Sequence, residues 1–279
     1  MADPTFVTQY RQGQIATFEQ RYSQLRVGCT QETVIKGNSA VFQVSGSGSA
    51  TAVTRGVNGL IPYYTTDNTQ NTCTLVEAHA PFQRSSFNIF ATQGDMVAVM
   101  HDEAVGTLNR HIDQAIIDQL DTATQDTGAA AKASVGLVMH ALTILGNNDV
   151  PVEEEDNIFG CVSPAFMAYI KQSPEFSSKD YVTIQPFMGP ARRMLRWNGV
   201  NWMVSTRVTG VGTSSEKCYI WHKRAMGHAA NSANMDVQVG YNGEQDYSWA
   251  RSTLYHGAKL LQNTGIVQIL HDGSEYAAS

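Results

Sequence analysis

Charge is scarce in this 279-residue chain: Asp, Glu, Lys and Arg make up 16% of it, against roughly 25% in typical soluble domains. Ser, Thr, Asn, Gln and Gly fill the gap, a composition suited to contact rather than repulsion. Basic charge is the scarcer sign, with 19 Lys plus Arg against 25 Asp plus Glu and a formal charge of -6. A broad basic face for sequence-independent grip on phosphate is thereby excluded. Long apolar runs are missing too. No stretch approaches 18 uninterrupted apolar residues, and the opening MADPTFVTQYRQGQ lacks a basic segment followed by an apolar one, which argues against membrane spanning and secretion. Cysteine is limited to Cys29, Cys73, Cys161 and Cys218, with no CxxC pair, no short spacing to histidine and no Asn-x-Ser/Thr acceptor. They read as reduced thiols of a cytosolic protein.

Signatures of catalysis are likewise wanting. There is no GxxxxGK phosphate loop, no GxSxG elbow and no HExxH, which His101-Asp102-Glu103 resembles only superficially. Gly210-x-Gly212 lacks a third glycine and marks a turn. His101 and His111 stand ten residues apart on a predicted helix, about 15 Å along its axis, too far to share a metal. His222 and His228 could approach across a turn, but no carboxylate or cysteine supports them. The run Glu153 to Asp156 has neither the alternating ligands nor the turn glycine of a calcium loop, and reads as a solvated loop.

Within the first 30 residues, Phe6, Tyr10, Ile15, Phe18, Tyr22 and Leu25 are apolar but irregularly spaced, predicting a weak helix or an extended arm whose rings need cover. Residues 32–80 are β-rich: Val34, Ile35, Val41, Phe42 and Val44, then SGSGSAT, then Val53, Val57, Leu60, Ile61, Tyr63 and Tyr64. The Gly-Ser run reads as a hairpin tip. Too few large apolar residues are present for a separate core, so the segment should project and find its packing elsewhere.

Val97, Met100, Ala104, Leu108, Ile112, Ile116 and Leu120 then recur at helical spacing behind a capping Asp95. They predict a helix over 95–122, roughly 40 Å long, with Asp95, Asp102, Glu103, Asp113, Asp118 and Asp121 on a solvated face. Further helices are expected over 129–145 and 164–172. Strands are expected over 158–162, 181–187, 200–208, 218–221, 255–259 and 266–270. The alternation is α+β in character. The cluster Arg192, Arg193 and Arg196 beside Trp197 is the one local basic departure, fit either for an anionic ligand or for ion pairs with an acidic surface such as the Glu153 loop of another copy.

An aromatic arm, a projecting β-hairpin, one very long helix and a mixed α/β body, in that order, resemble the major capsid proteins of tailed double-stranded DNA bacteriophages, the Hong Kong 97-type fold. Gly37-x-Ser39-Ala40-x-Phe42, Gly46 and Arg55-Gly56 look like the extended loop of short-tailed-phage capsid proteins. Trp221-His222-Lys223-Arg224-Ala225-Met226-Gly227, then Tyr255-His256-Gly257-Ala258-Lys259 and Thr264-Gly265-Ile266-Val267, look like the closing strands of that family.

The resemblance implies an N-terminal arm at 1–31, an extended loop at 32–80, and a peripheral domain at 81–128 that includes the spine helix. Residues 129–279 would hold the axial domain and the remaining peripheral strands. It implies a structural protein, not an enzyme, without cofactor or metal. Contacts between subunits would involve Phe6, Tyr10, Phe18, Tyr22, Val41, Phe42, Val44, Val53 and Arg55, with ion pairs among Glu153, Glu154, Arg192, Arg193 and Arg196. Implied partners are other copies in pentamers and hexamers, a separate scaffolding protein and a portal during assembly, packaged double-stranded DNA without sequence-specific contacts, a decoration protein outside, and no membrane. The place would be the virion capsid, made and assembled in the host bacterial cytoplasm.

Two departures from the family matter. The arm begins almost at Met1, so a cleaved scaffolding region is not expected and a separate scaffolding protein is. Residues 38–80 hold no lysine and Lys36 lies at the loop base, which speaks against Lys-to-Asn crosslinks from the loop. Two other readings stay open at this point: a soluble enzyme or ligand-binding protein with a site near Arg192, Arg193, Arg196 and His222, or another virion part such as a tail protein.

Overall fold

A computed structural model describes residues 20, 22–32, 37–46, 50–86, 96–154, 156–174, 194–231 and 236–276. The order of elements is β1 (Thr30–Glu32), β2 (Ser39–Gly46), β3 (Asp67–Thr74), β4 (Val76–Ser85), α1 (Met96–Leu120), α2 (Val135–Asn147), β5 (Ile158–Val162), α3 (Pro164–Gln172), β6 (Leu195–Trp197), β7 (Val200–Val204), β8 (Glu216–His222), β9 (Met226–Ala230), β10 (Asp236–Asn242), β11 (Tyr247–Leu260) and β12 (Ile266–His271). The expected strand over 181–187 and the capping Asp95 lie outside the described residues.

Helix α1 forms where the spacing predicts it. Its stripe of Ala104, Leu108, Ile112 and Ile116 is buried against the first sheet together with Ala78, Ala80 and Leu254. That sheet is built on β11, which pairs β4 along one edge and β10, then β9, along the other; His256 faces Val76 on one side and Ala230 on the other. The short β1 joins β9 in parallel. At its C-terminus a helix leaves carbonyls without partners. Here Gln268 of β12 supplies them, its Nε2 donating to Asp121 O at 2.9 Å and Ala123 O at 2.8 Å.

The second sheet has the order β12-β8-β5-β7-β6. It is buried on both faces, so its strands alternate between two cores and read as continuous apolar runs. Phe159, Cys161, Tyr219 and Trp221 face the α1 core, while Ile158, Val162, Cys218 and Ile220 join a second core with Val138, Leu145 and Phe166 of α2 and α3. The β6–β7 turn is Asn198-Gly199, both at positive φ, the geometry of a tight two-residue hairpin.

Three expectations need correction. Helix α2 starts at Val135, not near 129, because the preceding backbone is engaged with β12, Thr127 N donating to Gln268 O and Ala131 N to Leu270 O. Ser134 then caps the helix, accepting from Leu137 N at 3.2 Å. In the hairpin, the return strand is the polar Asp67–Thr74, in register from Ser39↔Thr74 to Gly46↔Asp67. The apolar residues 53–64 belong instead to the tip. Finally, Asp113 is not on a solvated face: it is 1% exposed.

Candidate functional site

The surfaces that can carry an assembly function are built from the projecting hairpin, the base of the arm and the loops of the second sheet. At the hairpin root, Ala40, Phe42 and Cys73 point inward and cluster with Ala229 of the first sheet. Close approach is needed there. A Cβ on Gly257 would stand 2.5 Å from Thr74 O and 2.9 Å from Cys73 Sγ, and one on Gly227 would stand 3.0 Å from the Phe42 ring. Across the tip the own subunit gives no cover: residues 50–66 are all exposed, Val57 at 107% and Tyr63 at 95%, with Leu60, Ile61 and Tyr64 beside them. Apolar surface gathered on a projection marks a contact site.

Of the residues expected to meet neighbours, Phe6, Tyr10 and Phe18 lie outside the described residues. Tyr22, Val41, Val53 and Arg55 are exposed. Val44 is half-buried and lines a cavity of about 450 Å³ between the hairpin root and the 148–151 and 261–265 loops. Phe42 is corrected: it is buried in its own subunit, where its ring fills the space beside Gly227 and Leu261.

The acidic loop is also partnered at home. Arg196 Nη2 donates to Asp156 Oδ1 at 2.9 Å, so the Arg196 ion pair is made within the chain, across the β6 side of the second sheet. Glu154 accepts from Asn157 Nδ2 at 2.7 Å and stands 3.8 Å from His222 Nε2. Glu153 is exposed, and Arg192 and Arg193 lie outside the described residues. His222 is buried, with Nδ1 accepting from Arg224 N. Burial, then the Arg224 charge, hold its imidazole below the ordinary value.

His228 turns from His222 toward His256, with ring centroids 6.0 Å apart. His256 Nε2 in turn meets His111 Nδ1 of α1 at 2.7 Å, edge to face. Sequence reasoning missed this stack, since its members come from α1, β9 and β11. Burial lowers both His228 and His256 to about 4, with the adjacent imidazole adding to the effect in each. Among the described residues no group of three or more His, Cys, Asp or Glu is placed to hold a metal ion. The thiols are buried, and burial raises Cys29 and Cys218 to about 12, which leaves little reactive thiolate at neutral pH.

A buried carboxylate–imidazole pair lies beneath the loops of the second sheet. Glu216 and His271 are register partners on β8 and β12, 3.6 Å apart and without exposure. Burial pushes the Glu216 carboxyl up, and His271 and Ser163 more than offset it, so it titrates below the ordinary carboxylate value. A Cβ on Gly273 would overlap Glu216 Oε2, so a larger residue in the turn after β12 would have to displace the buried carboxylate.

A long helix across one sheet, a second sheet between two cores and a projecting hairpin define the Hong Kong 97-type capsid subunit. The chain aligns with a Mycobacterium phage Che8 structure at TM-score 0.75 and 16% identity, over 96% of this chain and 98% of that one. The capsid of Ralstonia phage GP4 aligns at 0.70 and 12%, over 96% and 95%. The capsid of a native GTA particle aligns at 0.70 and 13%, over 96% of each chain. No match is found among curated proteins. The phage capsid protein family model matches residues 2–273, and the chain belongs to that family. It is a structural protein of the virion, the major capsid protein of a tailed phage.

Proposed function

We propose that copies of this chain join as pentamers and hexamers into a closed icosahedral shell around double-stranded DNA, with residues 1–31 as the arm, 32–80 as the loop, 81–128 as the peripheral domain and 129–279 as the axial domain with the remaining peripheral strands. The loop and arm carry the contacts between copies. The observation that carries this reading is the bare apolar tip, Val57, Leu60, Ile61, Tyr63 and Tyr64, held out on a hairpin whose root is fixed in its own subunit. Identical copies bury such surfaces by repeating one heterologous contact around a closed path. The arm residues Phe6, Tyr10, Phe18 and Tyr22 and the loop residues Val41, Val44, Val53 and Arg55 join that contact, and Glu153, Glu154, Arg192 and Arg193 face neighbouring copies across the rims.

Assembly takes place in the host bacterial cytoplasm, around a separate scaffolding protein and a portal, with a decoration protein as an outer partner. A net charge of -6 suits an inner wall past which DNA slides without sequence-specific contact, since adhesion to the backbone requires basic charge. The test is coexpression with a scaffolding protein, followed by sedimentation and electron microscopy. Closed shells are expected from the unaltered chain. Replacing Leu60, Ile61 and Tyr63 together with Ser should leave soluble folded subunits that form none; normal shells from that variant would overturn the role of the tip.

A further inference from the structure

We propose that Asp113 is a positioning residue for assembly, a latch on the spine helix that fixes where the N-terminal arm leaves its own subunit. This rests on the reading of the arm as a contact between copies.

Asp113 projects from the C-terminal half of α1, and the arm base, residues 20 and 22–25, lies over it. Its Oδ1 accepts from Ser23 Oγ at 2.6 Å and from Leu25 N at 3.2 Å. Its Oδ2 accepts from Gln20 Nε2 and, at 3.1 Å, from Gln24 N. One turn earlier, Arg110 Nη1 donates to Gln20 O at 3.3 Å. A carboxylate can leave water only when other donors replace it. Among the described residues all four replacing donors come from the arm base, so Asp113 keeps these partners only while that base is docked.

Apolar packing does not hold the same stretch. Gln20, Ser23 and Gln24 are half-buried and Tyr22 is exposed, and among the described residues the first buried side chain is Leu25. From there on other contacts take over: Trp221 Nε1 donates to Gly28 O at 2.7 Å, and β1 pairs with β9. Asp113 thus holds Gln20, Ser23 and Gln24 in particular.

The experiment uses Asp113→Asn, which keeps size and turns one acceptor into a donor, and Ser23→Ala, which removes one donor without touching the helix. In unassembled subunits, trypsin cleavage after Arg21 reads the docked state, cleavage after Arg55 in the exposed tip is the internal reference, and cleavage after Arg207 reports loosening of the body. Cleavage of a transiently open segment follows the open population. Loss of a charge-assisted bond should therefore raise cleavage after Arg21 about tenfold or more in Asp113→Asn, less in Ser23→Ala, with Arg55 and Arg207 unchanged. Shell yield should fall in the same order.

Unchanged cleavage after Arg21 overturns the proposal, and so does an equal rise at Arg207, which marks a merely structural role. Deleting residues 1–19 separates the two readings. Normal shells from the deletion refute the arm contact, whereas shells lost on deletion but normal in Asp113→Asn with a freed base refute the latch alone. If Asp113→Asn does not fold, Ser23→Ala carries the same comparison.

Discussion

Leu108 is 4% exposed in the core shared by α1 and the first sheet, while Val53, at 37%, stands near the hairpin tip. The two residues separate folding from association. Leu108→Ala should cost the subunit about 2–5 kcal/mol through lost burial and a residual cavity, enough to remove much of a domain's margin. Val53→Ala should change subunit stability by less than about 0.5 kcal/mol and lower shell yield. Denaturant melts of unassembled subunits check both; equal losses would place Val53 in the subunit core. His228 and His256 contribute to the response to acid. Both are neutral in the fold with pKa values near 4, below the ordinary 6.5, so between those limits the unfolded chain binds more protons than the folded one. Their contribution to stability should be full above pH 6.5, fall as acid crosses the window and level off below about 4. A His228→Asn, His256→Gln variant should give a flatter profile in melts across that range, and an unchanged slope would assign the acid response to other groups.

Among the elements, the hairpin root depends on Gly257, where the backbone carbonyl of Thr74 leaves no room for a methyl group. Gly257→Ala should cost about 1–3 kcal/mol by overpacking and expose Cys73, which thiol labelling of native subunits would detect; silence of Cys73 toward the reagent would show that the root absorbs the extra carbon. The same region shows what a sequence can and cannot tell. Ile158–Val162 and Pro164–Gln172 were legible because a buried strand is a bounded apolar run and Ser163 before Pro164 is a helix start. Strand β3, reading DNTQNTCT, gives no such pattern, since only Cys73 on it is buried and its place is dictated by pairing with β2. Met226–Ala230 and Asp236–Asn242 escaped for a similar reason: small and polar residues make strands there because β11 offers them an edge. Asp113 was misplaced by a one-helix view. It sits between Ile112 and Ile116 at the border of the apolar stripe, which hints at burial, but the donors that make burial tolerable lie about 90 positions away.

For the whole molecule, low charge and a bare tip should make apolar contact the main source of cohesion between copies. Surface ion pairs weaken as salt shortens the screening length below about 10 Å, whereas apolar burial does not. Shell formation followed by light scattering should accordingly hold steady or increase from low to high salt; a steep decline would mean that the exposed charges at Glu153, Glu154 and their like hold the shell together. Assembled shells should also unfold at a higher temperature than free subunits, because binding between folded copies draws the equilibrium toward the fold, and calorimetry of both forms measures the difference.

Gln268 closes the end of α1 from the last strand, and Trp221 clasps the chain at Gly28 across 193 positions. The first elements to leave the ribosome therefore wait for nearly the last. A nascent chain halted before β12 has a spine without its stop and a second sheet without its edge strand. Such distant pairings also make for slow folding. Copies should therefore become competent to join only once β12 has been made.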